Sequence, residues 1–151
     1  MKGKINENFS NYCSLNAEKY LVETLQSVVN QTLDDYEIIT INDGSKDGTL
    51  DILKEYEKEY PNFTVISKEN GGVSAARNDG LNVAQGKYVY FYDADDILEL
   101  EALEKMYEAA ENNKAELVIA GYDKHNSLKK RHLQNKILVA ILNYIFLLYL
   151  F

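Results

Sequence analysis

The sequence predicts an α/β protein with a doubly wound, mostly parallel sheet. Short runs of β-favouring residues alternate with amphipathic helical patterns along most of the 151 residues. Such alternation with short loops is typical of parallel sheets that carry helices on both faces. Right-handed crossovers place every strand-to-helix loop at one edge of such a sheet, so residues at the strand ends are expected to gather in one crevice.

The expected elements follow one another without long gaps. Polar side chains interrupt the alternating apolar residues of 1–15, so this segment is at best a weak, half-exposed strand. Asn16 is expected to cap the first helix. The remaining strands are predicted at 36–41, 63–67, 88–92 and 117–122. The helices are predicted at 17–31, from 49 to a stop at Pro61, at 73–83, and from Leu100 to Ala110.

The strand at 88–92 ends in a cluster of three carboxylates. Its five consecutive β-favouring residues predict a strand buried on both faces. Asp93, Asp95 and Asp96 follow, and at about 4 Å with an effective dielectric near 20 two like charges repel by roughly 4 kcal/mol. A divalent cation, Mg²⁺ or Mn²⁺, held by these carboxylates and by substrate phosphates would offset that repulsion. Alternatively, Asp95 or Asp96 only caps the following helix.

A cationic residue is expected to face the same crevice. Arg77 falls on the stripe of its helix that should contact the sheet, so its guanidinium needs a partner. That partner is either Asp93 or Asp95, in a salt bridge that braces the acidic cluster, or a ligand phosphate. Gly71 and Gly72 precede this helix and would let backbone N–H groups approach an anion, although two glycines more often only form a turn.

Charge and cysteine content exclude several classes of protein. The net charge of −8 argues against a nucleic-acid partner. Five basic residues and no acidic ones lie between 124 and 136, so the rest of the chain is still more acidic. Cys13 is the only cysteine, which excludes an internal disulfide and fits a reducing compartment. No apolar signal-peptide core is visible near Met1, so a cytoplasmic location is expected.

The last fifteen residues form an apolar segment. We expect a basic linker over 123–136 and an apolar C-terminal helix over 137–151. A spanning helix needs about 20 residues, so this segment is too short by itself. It is expected either to pack on the sheet or to contact the inner face of the cell membrane peripherally, where the preceding basic residues would suit an anchor. A truncated or shifted reading frame is a third interpretation.

Four motifs in order resemble the family 2 glycosyltransferases, which have the GT-A fold, a Rossmann-like fold of nucleotide-diphospho-sugar transferases. The matching stretches are 17–21 with 27–32, 37–39 with 42–49, 70–78, and 86–88 with 93–96. The resemblance implies a nucleotide-sugar-binding domain over 1–122. It further implies that a sugar passes from a nucleotide-diphospho-sugar, with a UDP-sugar expected, to a glycan or lipid-linked acceptor of the cell envelope. The implied cofactor is Mg²⁺ or Mn²⁺.

The resemblance also implies roles for individual residues. The implied nucleotide-sugar site consists of Asn16, Asp43, Arg77, Asp93, Ala94 and Asp95. Asp43 matches the acid that hydrogen-bonds the base of the donor; its alternative is a local Asx turn. Asp93 and Asp95 match the Asp-x-Asp pair that contacts the ribose and the metal. Arg77 matches the basic residue near the base and the acidic cluster.

The chain departs from the family pattern near both ends. The family's first strand is an apolar run that ends in Pro-x-Tyr-Asn, whereas residues 9–16 keep only Asn16. A degenerate first strand over 1–15 is therefore expected in mid-sheet, at about 1–3 kcal/mol for each polar group buried unpaired. No residue matches the family's general base, so the catalytic residue is unknown and the fold is expected to be incomplete at its C-terminus.

Three other functions are compatible with a doubly wound fold. A catalytically inactive remnant that still binds nucleotide is favoured by the missing base and the degenerate first strand. A haloacid-dehalogenase-like phosphatase also uses an Asp-x-Asp pair, but after an early strand and with Thr or Val where Ile97 stands here. A response-regulator receiver needs an acidic pair after its first strand, which this chain lacks. One fold hosts many functions, so the motifs rather than the fold decide among these.

Overall fold

The described part of the chain forms a four-stranded parallel sheet with helices on both faces. The computed structural model describes residues 8–14, 16–121, 123–124, 131–132 and 137–140, with side-chain surroundings within 16–121. The sheet consists of β1 (Asn8–Ser14), β2 (Tyr36–Asp43), β3 (Phe63–Lys68) and β4 (Tyr90–Asp93), in the order β3-β2-β1-β4. The helices are α1 (Glu18–Val29), α2 (Thr49–Glu59), α3 (Val73–Val83) and α4 (Ala102–Asn113). The predicted doubly wound α/β fold is confirmed.

Strand β2 separates two hydrophobic clusters. Ile38 packs in a cluster with Leu25 of α1 and Leu53 of α2, and α4 joins the same cluster. On the opposite face of β2, Ile39 packs in a second cluster with Ala76 of α3. Alternating side chains of one strand thus enter both clusters, which explains why β2 reads as a nearly continuous hydrophobic run.

Strand β1 occupies the middle of the sheet. It pairs in parallel with β2, from Asn8 opposite Tyr36 to Ser14 opposite Asn42, and on its other side with β4. The sequence predicts only a weak strand over 1–15 because polar side chains interrupt the alternation. The ladder joins backbone groups, so pairing on both sides forms whatever those side chains are. This central position is the one that the family resemblance implies for a first strand.

Strand β4 differs from its prediction. Tyr92 is 3% exposed, whereas Phe91, on the opposite face, is 43% exposed. The prediction of a strand buried on both faces is therefore wrong. Among the described residues, β4 is an edge strand, paired only with β1. The Phe91 ring lies 5.7 Å from the Arg77 guanidinium rather than under an apolar helix face.

Strand β5 (Leu117–Ala120) does not join the parallel sheet. It pairs antiparallel with β8 (Ile137–Ala140) in a separate two-stranded sheet. The prediction of a last parallel strand at 117–122 is therefore wrong in its pairing, although the strand exists. The predicted helix at 137–151 is wrong for 137–140, which form β8, and 141–151 lie outside the described residues. Periodicity alone cannot separate helix from strand in a continuous apolar run.

The predicted basic linker contains a short antiparallel pair. Within 123–136, β6 (Asp123–Lys124) pairs with β7 (Arg131–His132), and the other positions lie outside the described residues. The domain boundary at residue 122 stays a prediction. No helix in the described ranges is long and apolar enough to cross a membrane.

Candidate functional site

The ends of the parallel strands bring the predicted site residues to one edge of the sheet. Cys13 of β1 lies opposite both Ile41 of β2 and Asp93 of β4. Asp43 lies two residues beyond Ile41, at the end of β2. With strands about 4.8 Å apart and a rise of about 3.3 Å per residue, the Cα atoms of Asp43 and Asp93 are about 12 Å apart. That separation is too large for both carboxylates to bind one cation, but it suits an extended ligand.

The Asp43 carboxylate is buried and bonds to the loop before α3. Its Oδ1 accepts the Gly71 N–H and its Oδ2 accepts the Gly72 N–H, both at 2.8 Å. The predicted alternative of a local Asx turn is wrong for Asp43, because these partners are far along the chain. Asn42 makes the local contact instead, and its Oδ1 accepts the Ser45 N–H at 3.3 Å. Each carboxylate oxygen of Asp43 keeps a lone pair for a further donor.

Asn16 joins the loop after β1 to the loop after β2. Its N–H donates to Ser45 Oγ at 3.0 Å, and its Oδ1 accepts the Lys46 N–H at 2.9 Å. The backbone of Asn16 is left-handed, with φ of 50°, a conformation that asparagine tolerates better than most residues. The side chain makes no cap to α1, so that prediction is wrong. Asn16 is nevertheless exposed at the predicted edge.

Side chains from the β2–α2 loop and from the first residue of α2 cap α1 instead. The Ala17 N–H donates to Thr49 Oγ1 at 2.8 Å, and the Glu18 N–H donates to Asp47 Oδ2 at 3.3 Å. In return, Glu18 Oε2 accepts the Gly48 N–H at 2.9 Å. The hydrogen bond with Thr49 holds the pKa of Asp47 below its usual value. Side chains at or just before the start of each helix thus accept N–H groups at the start of the other, which ties the two helix starts together.

Arg77 forms the salt bridge that the sequence offers as one of two alternatives. Its Nη2 donates to Asp93 Oδ1 at 3.1 Å, with both side chains partly exposed. Asp95 is exposed and makes no hydrogen bond or ion pair among the described residues. The Asp96 N–H donates to the Asp93 carbonyl at 3.1 Å and closes a turn. Because α4 begins only at Ala102 and has no side-chain cap, the alternative that Asp95 or Asp96 caps it is wrong.

Helix α1 holds the backbone of the acidic loop, which we define as residues 93–99. Thr24 Oγ1 lies 2.9 Å from the Ala94 carbonyl oxygen and 3.0 Å from that of Asp96, so its one proton is shared between them. One turn further along α1, Ser27 Oγ accepts the Leu98 N–H at 3.1 Å.

The C-terminal end of this contact involves Gln31, just beyond α1. Its Nε2 donates to the Glu99 carbonyl at 2.8 Å, and its Oε1 accepts the Leu103 N–H at 3.0 Å. From the sheet side, the Tyr92 hydroxyl donates to the Asp96 carbonyl. Burial raises the pKa of Tyr92, so this hydroxyl stays protonated and remains a donor.

The prediction of site residues from sequence missed these supporting side chains. Thr24, Ser27 and Gln31 are spaced by three and four positions, so they share one face of a helix. That face is otherwise apolar, with Leu21 and Val28 buried beside them. Buried polar groups need hydrogen-bond partners. A polar stripe at helical spacing within an apolar face was the signal that could have predicted a buried contact.

The comparisons with known proteins agree with the resemblance. A sequence model of glycosyl transferase family 2 matches residues 13–147. The chain is 42% identical over 108 residues to the poly(ribitol-phosphate) beta-glucosyltransferase of Bacillus spizizenii. The matched region covers 69% of this chain and 17% of that protein. It is 41% identical over 111 residues to the poly(ribitol-phosphate) beta-N-acetylglucosaminyltransferase TarP of Staphylococcus aureus, with 71% and 33% covered.

A solved structure shows the same fold. The crystal structure of S. aureus TarS 1–349 in complex with UDP-GlcNAc matches with a TM-score of 0.74 and 28% identity, over 80% of this chain and 36% of that one. The predicted GT-A fold is confirmed by this match. The chain spans between 17% and 36% of the length of these three proteins.

Proposed function

Because this chain belongs to glycosyl transferase family 2, we propose that it binds a nucleotide-diphospho-sugar along the edge formed by the ends of β1, β2 and β4. The proposed donor is a UDP-sugar, and the proposed acceptor is a glycan or lipid-linked glycan of the cell envelope. One observation carries the proposal: the Cα atoms of Asp43 and Asp93 lie about 12 Å apart at one sheet edge, and their carboxylates are held by separate partners. Two such anchors suit the two ends of a nucleoside diphosphate.

Asp43 is proposed to recognise the base. Gly71 and Gly72 fix its carboxylate through two backbone N–H groups, so little side-chain entropy remains to be lost on binding. A carboxylate only accepts hydrogen bonds, and it therefore favours a base that presents an N–H, such as the imide of uracil. Asn16 is proposed to line the same end, since it bonds to the loop that follows Asp43.

Asp93 and Asp95 are proposed to hold a divalent cation, Mg²⁺ or Mn²⁺. Asp95 is exposed and unpaired among the described residues, while Asp93 gives one oxygen to Arg77. The described residues contain no group of three or more His, Cys, Asp or Glu able to hold a metal. Two carboxylates completed by ligand phosphates and water are the donor set that Mg²⁺ takes in such sites, so the residues fit the ion. When bound, the ion would neutralise charge on the departing diphosphate.

Arg77 and Ala94 are proposed to shape this end of the site. The Arg77 guanidinium fixes one oxygen of Asp93 and reduces the repulsion within the acidic cluster. The Arg77 side chain is partly exposed, so a ligand phosphate could also reach it. The Ala94 carbonyl is bonded to Thr24, which holds the peptide between the two aspartates.

A donor-binding domain that transfers no sugar is the second candidate. An acceptor hydroxyl needs a general base, and no described residue is assigned that role. Incubation with a panel of UDP-sugars and an assay for released UDP separates the two: release in excess of spontaneous hydrolysis excludes the inactive candidate.

Isothermal titration of the full chain with UDP, with and without Mn²⁺, tests the proposed function. We expect binding that Mn²⁺ tightens, and a loss of about tenfold or more in the Mn²⁺-dependent affinity for Asp95→Asn. The matched control is Asp34→Asn, which neutralises an exposed aspartate far from the edge and should bind like the wild type. No heat from the wild type, or equal affinity with EDTA, would refute the proposal.

A further inference from the structure

We propose that Thr24, Ser27 and Gln31 are positioning residues that set the geometry of the acidic loop for binding of the cation and the diphosphate. The inference rests on the proposed function, because it concerns the loop that carries Asp93 and Asp95. None of the three side chains is proposed to touch the donor; they act through the backbone of residues 93–99.

The contacts follow the loop in order. Thr24 bonds to the carbonyls of Ala94 and Asp96, and Ser27 bonds to the N–H of Leu98. Gln31 then bonds to the Glu99 carbonyl and, just past the loop, to the first turn of α4. Side chains in the second half of α1 and just beyond its end thus contact the loop along its whole length, from the end of β4 to the start of α4.

Two of these side chains are buried and therefore bond to the protein rather than to water. Thr24 is 2% exposed and Gln31 is 8% exposed. Beside them, the same helix face carries apolar residues that pack in the core. An apolar side chain at position 24 or 31 would leave loop carbonyls without a donor in a buried site, where the loop would have to move to find water.

The position of the Asp95 carboxylate is set by the backbone of the acidic loop rather than by contacts of the side chain itself. Its side chain is exposed and makes no hydrogen bond or ion pair among the described residues. The carbonyls of its two neighbours, Ala94 and Asp96, are both bonded to Thr24, and that of Asp96 is also bonded to Tyr92. The direction in which Asp95 leaves the chain is thus fixed from both sides. Mutation of residues that orient metal ligands in this way typically lowers metal affinity by about 10- to 100-fold.

Two substitutions of Thr24 separate positioning from stability. Thr24→Val is isosteric and removes the hydroxyl, whereas Thr24→Ser keeps the hydroxyl and removes only the methyl group. The matched control is Thr40→Val: Thr40 is also fully buried, and its Oγ1 bonds to the Thr64 carbonyl at 3.1 Å, away from the acidic loop. Titration of the full chain with UDP and Mn²⁺ should show affinity weakened about tenfold or more in Thr24→Val and retained in Thr24→Ser and Thr40→Val. Wild-type affinity in Thr24→Val, or an equal loss in Thr40→Val, would overturn the inference.

Amide hydrogen exchange of the free chain decides the positioning claim without any ligand. Ser27→Ala removes the acceptor of the Leu98 N–H, which should exchange about fivefold faster or more, whereas the Leu53 N–H in α2 should keep its wild-type rate. Unchanged protection at Leu98 would overturn the inference. If the wild type binds no UDP while Leu98 loses protection, the proposed function fails and the positioning of the loop stands.

Discussion

Replacement of Asp43 with Asn should destabilise the loop before α3 and the fold with it. The buried carboxylate accepts the N–H groups of Gly71 and Gly72, one on each oxygen. Asn has one side-chain oxygen, so one N–H would face the amide NH₂. A hydrogen bond to a charged group contributes about 1.5–3 kcal/mol, and a buried donor left unpaired costs about 1–3 kcal/mol. Relief of the buried charge offsets part of this loss. We expect the free energy of unfolding to fall by about 2–3 kcal/mol.

Urea unfolding followed by circular dichroism measures this change in the free energy of unfolding. In thermal unfolding, the expected fall in Tm for a chain of this length is about 4–12 °C. Asp34→Asn is the control: Asp34 is exposed, so its neutralisation should change stability by less than about 0.5 kcal/mol. If Asp43→Asn is as stable as this control, the two hydrogen bonds do not hold the loop and the reasoning is wrong.

Backbone geometry and pH give the remaining predictions. Gly44→Ala should lower Tm more than Gly72→Ala: φ is positive at both, but an added Cβ lies 2.8 Å from the Asn70 backbone nitrogen at Gly44 and has no neighbour within 4 Å at Gly72. Backbone strain alone should cost Gly72→Ala about 1–3 kcal/mol, and equal losses in the two variants would contradict this. The pKa of Asp47 lies below the ordinary 3.8 because of its bond with Thr49, so its stabilisation is present above that pH and is lost as the pH falls. In Asp47→Asn the free energy of unfolding should therefore depend less on pH in the acidic range than in the wild type. An unchanged pH dependence would argue against the hydrogen bond between Asp47 and Thr49.

The sequence predicted the elements that carry the site better than what surrounds them. Helix α3 spans the predicted 73–83, and the structure brings Asp43, Arg77 and Asp93 to one edge as the strand–helix alternation requires. These features depend on local periodicity and on the handedness of crossovers, which the sequence shows directly. The roles of these residues in donor binding stay predictions.

Contacts between residues far apart in the chain could not be predicted from local sequence patterns. The partners of Asp43 lie 28 and 29 residues away, and those of Thr24 lie 70 and 72 residues away. No periodicity within one segment encodes such bonds. The prediction that β4 is buried on both faces failed for a related reason. The five β-favouring residues at 88–92 indicate a strand but not what covers it, and Phe91 lies beside the guanidinium of Arg77 on α3 and stays 43% exposed.

Strand β1 lies where the family resemblance, rather than its own side-chain pattern, predicts it. Its polar residues predict only a weak strand, whereas the resemblance predicts a degenerate first strand in mid-sheet, and the sheet places it between β2 and β4. Backbone pairing on two sides satisfies the N–H and C=O groups of a strand independently of its side chains. The side-chain pattern of a strand therefore does not decide its place in the sheet.

Crystals of the chain soaked with Mn²⁺ and UDP test the central claim most directly. An anomalous difference map should show one Mn²⁺ peak within ligand distance of Asp93 and Asp95, with the base at Asp43 on the far side of the edge. An absent peak beside these two carboxylates, with UDP bound elsewhere or not at all, would contradict the account.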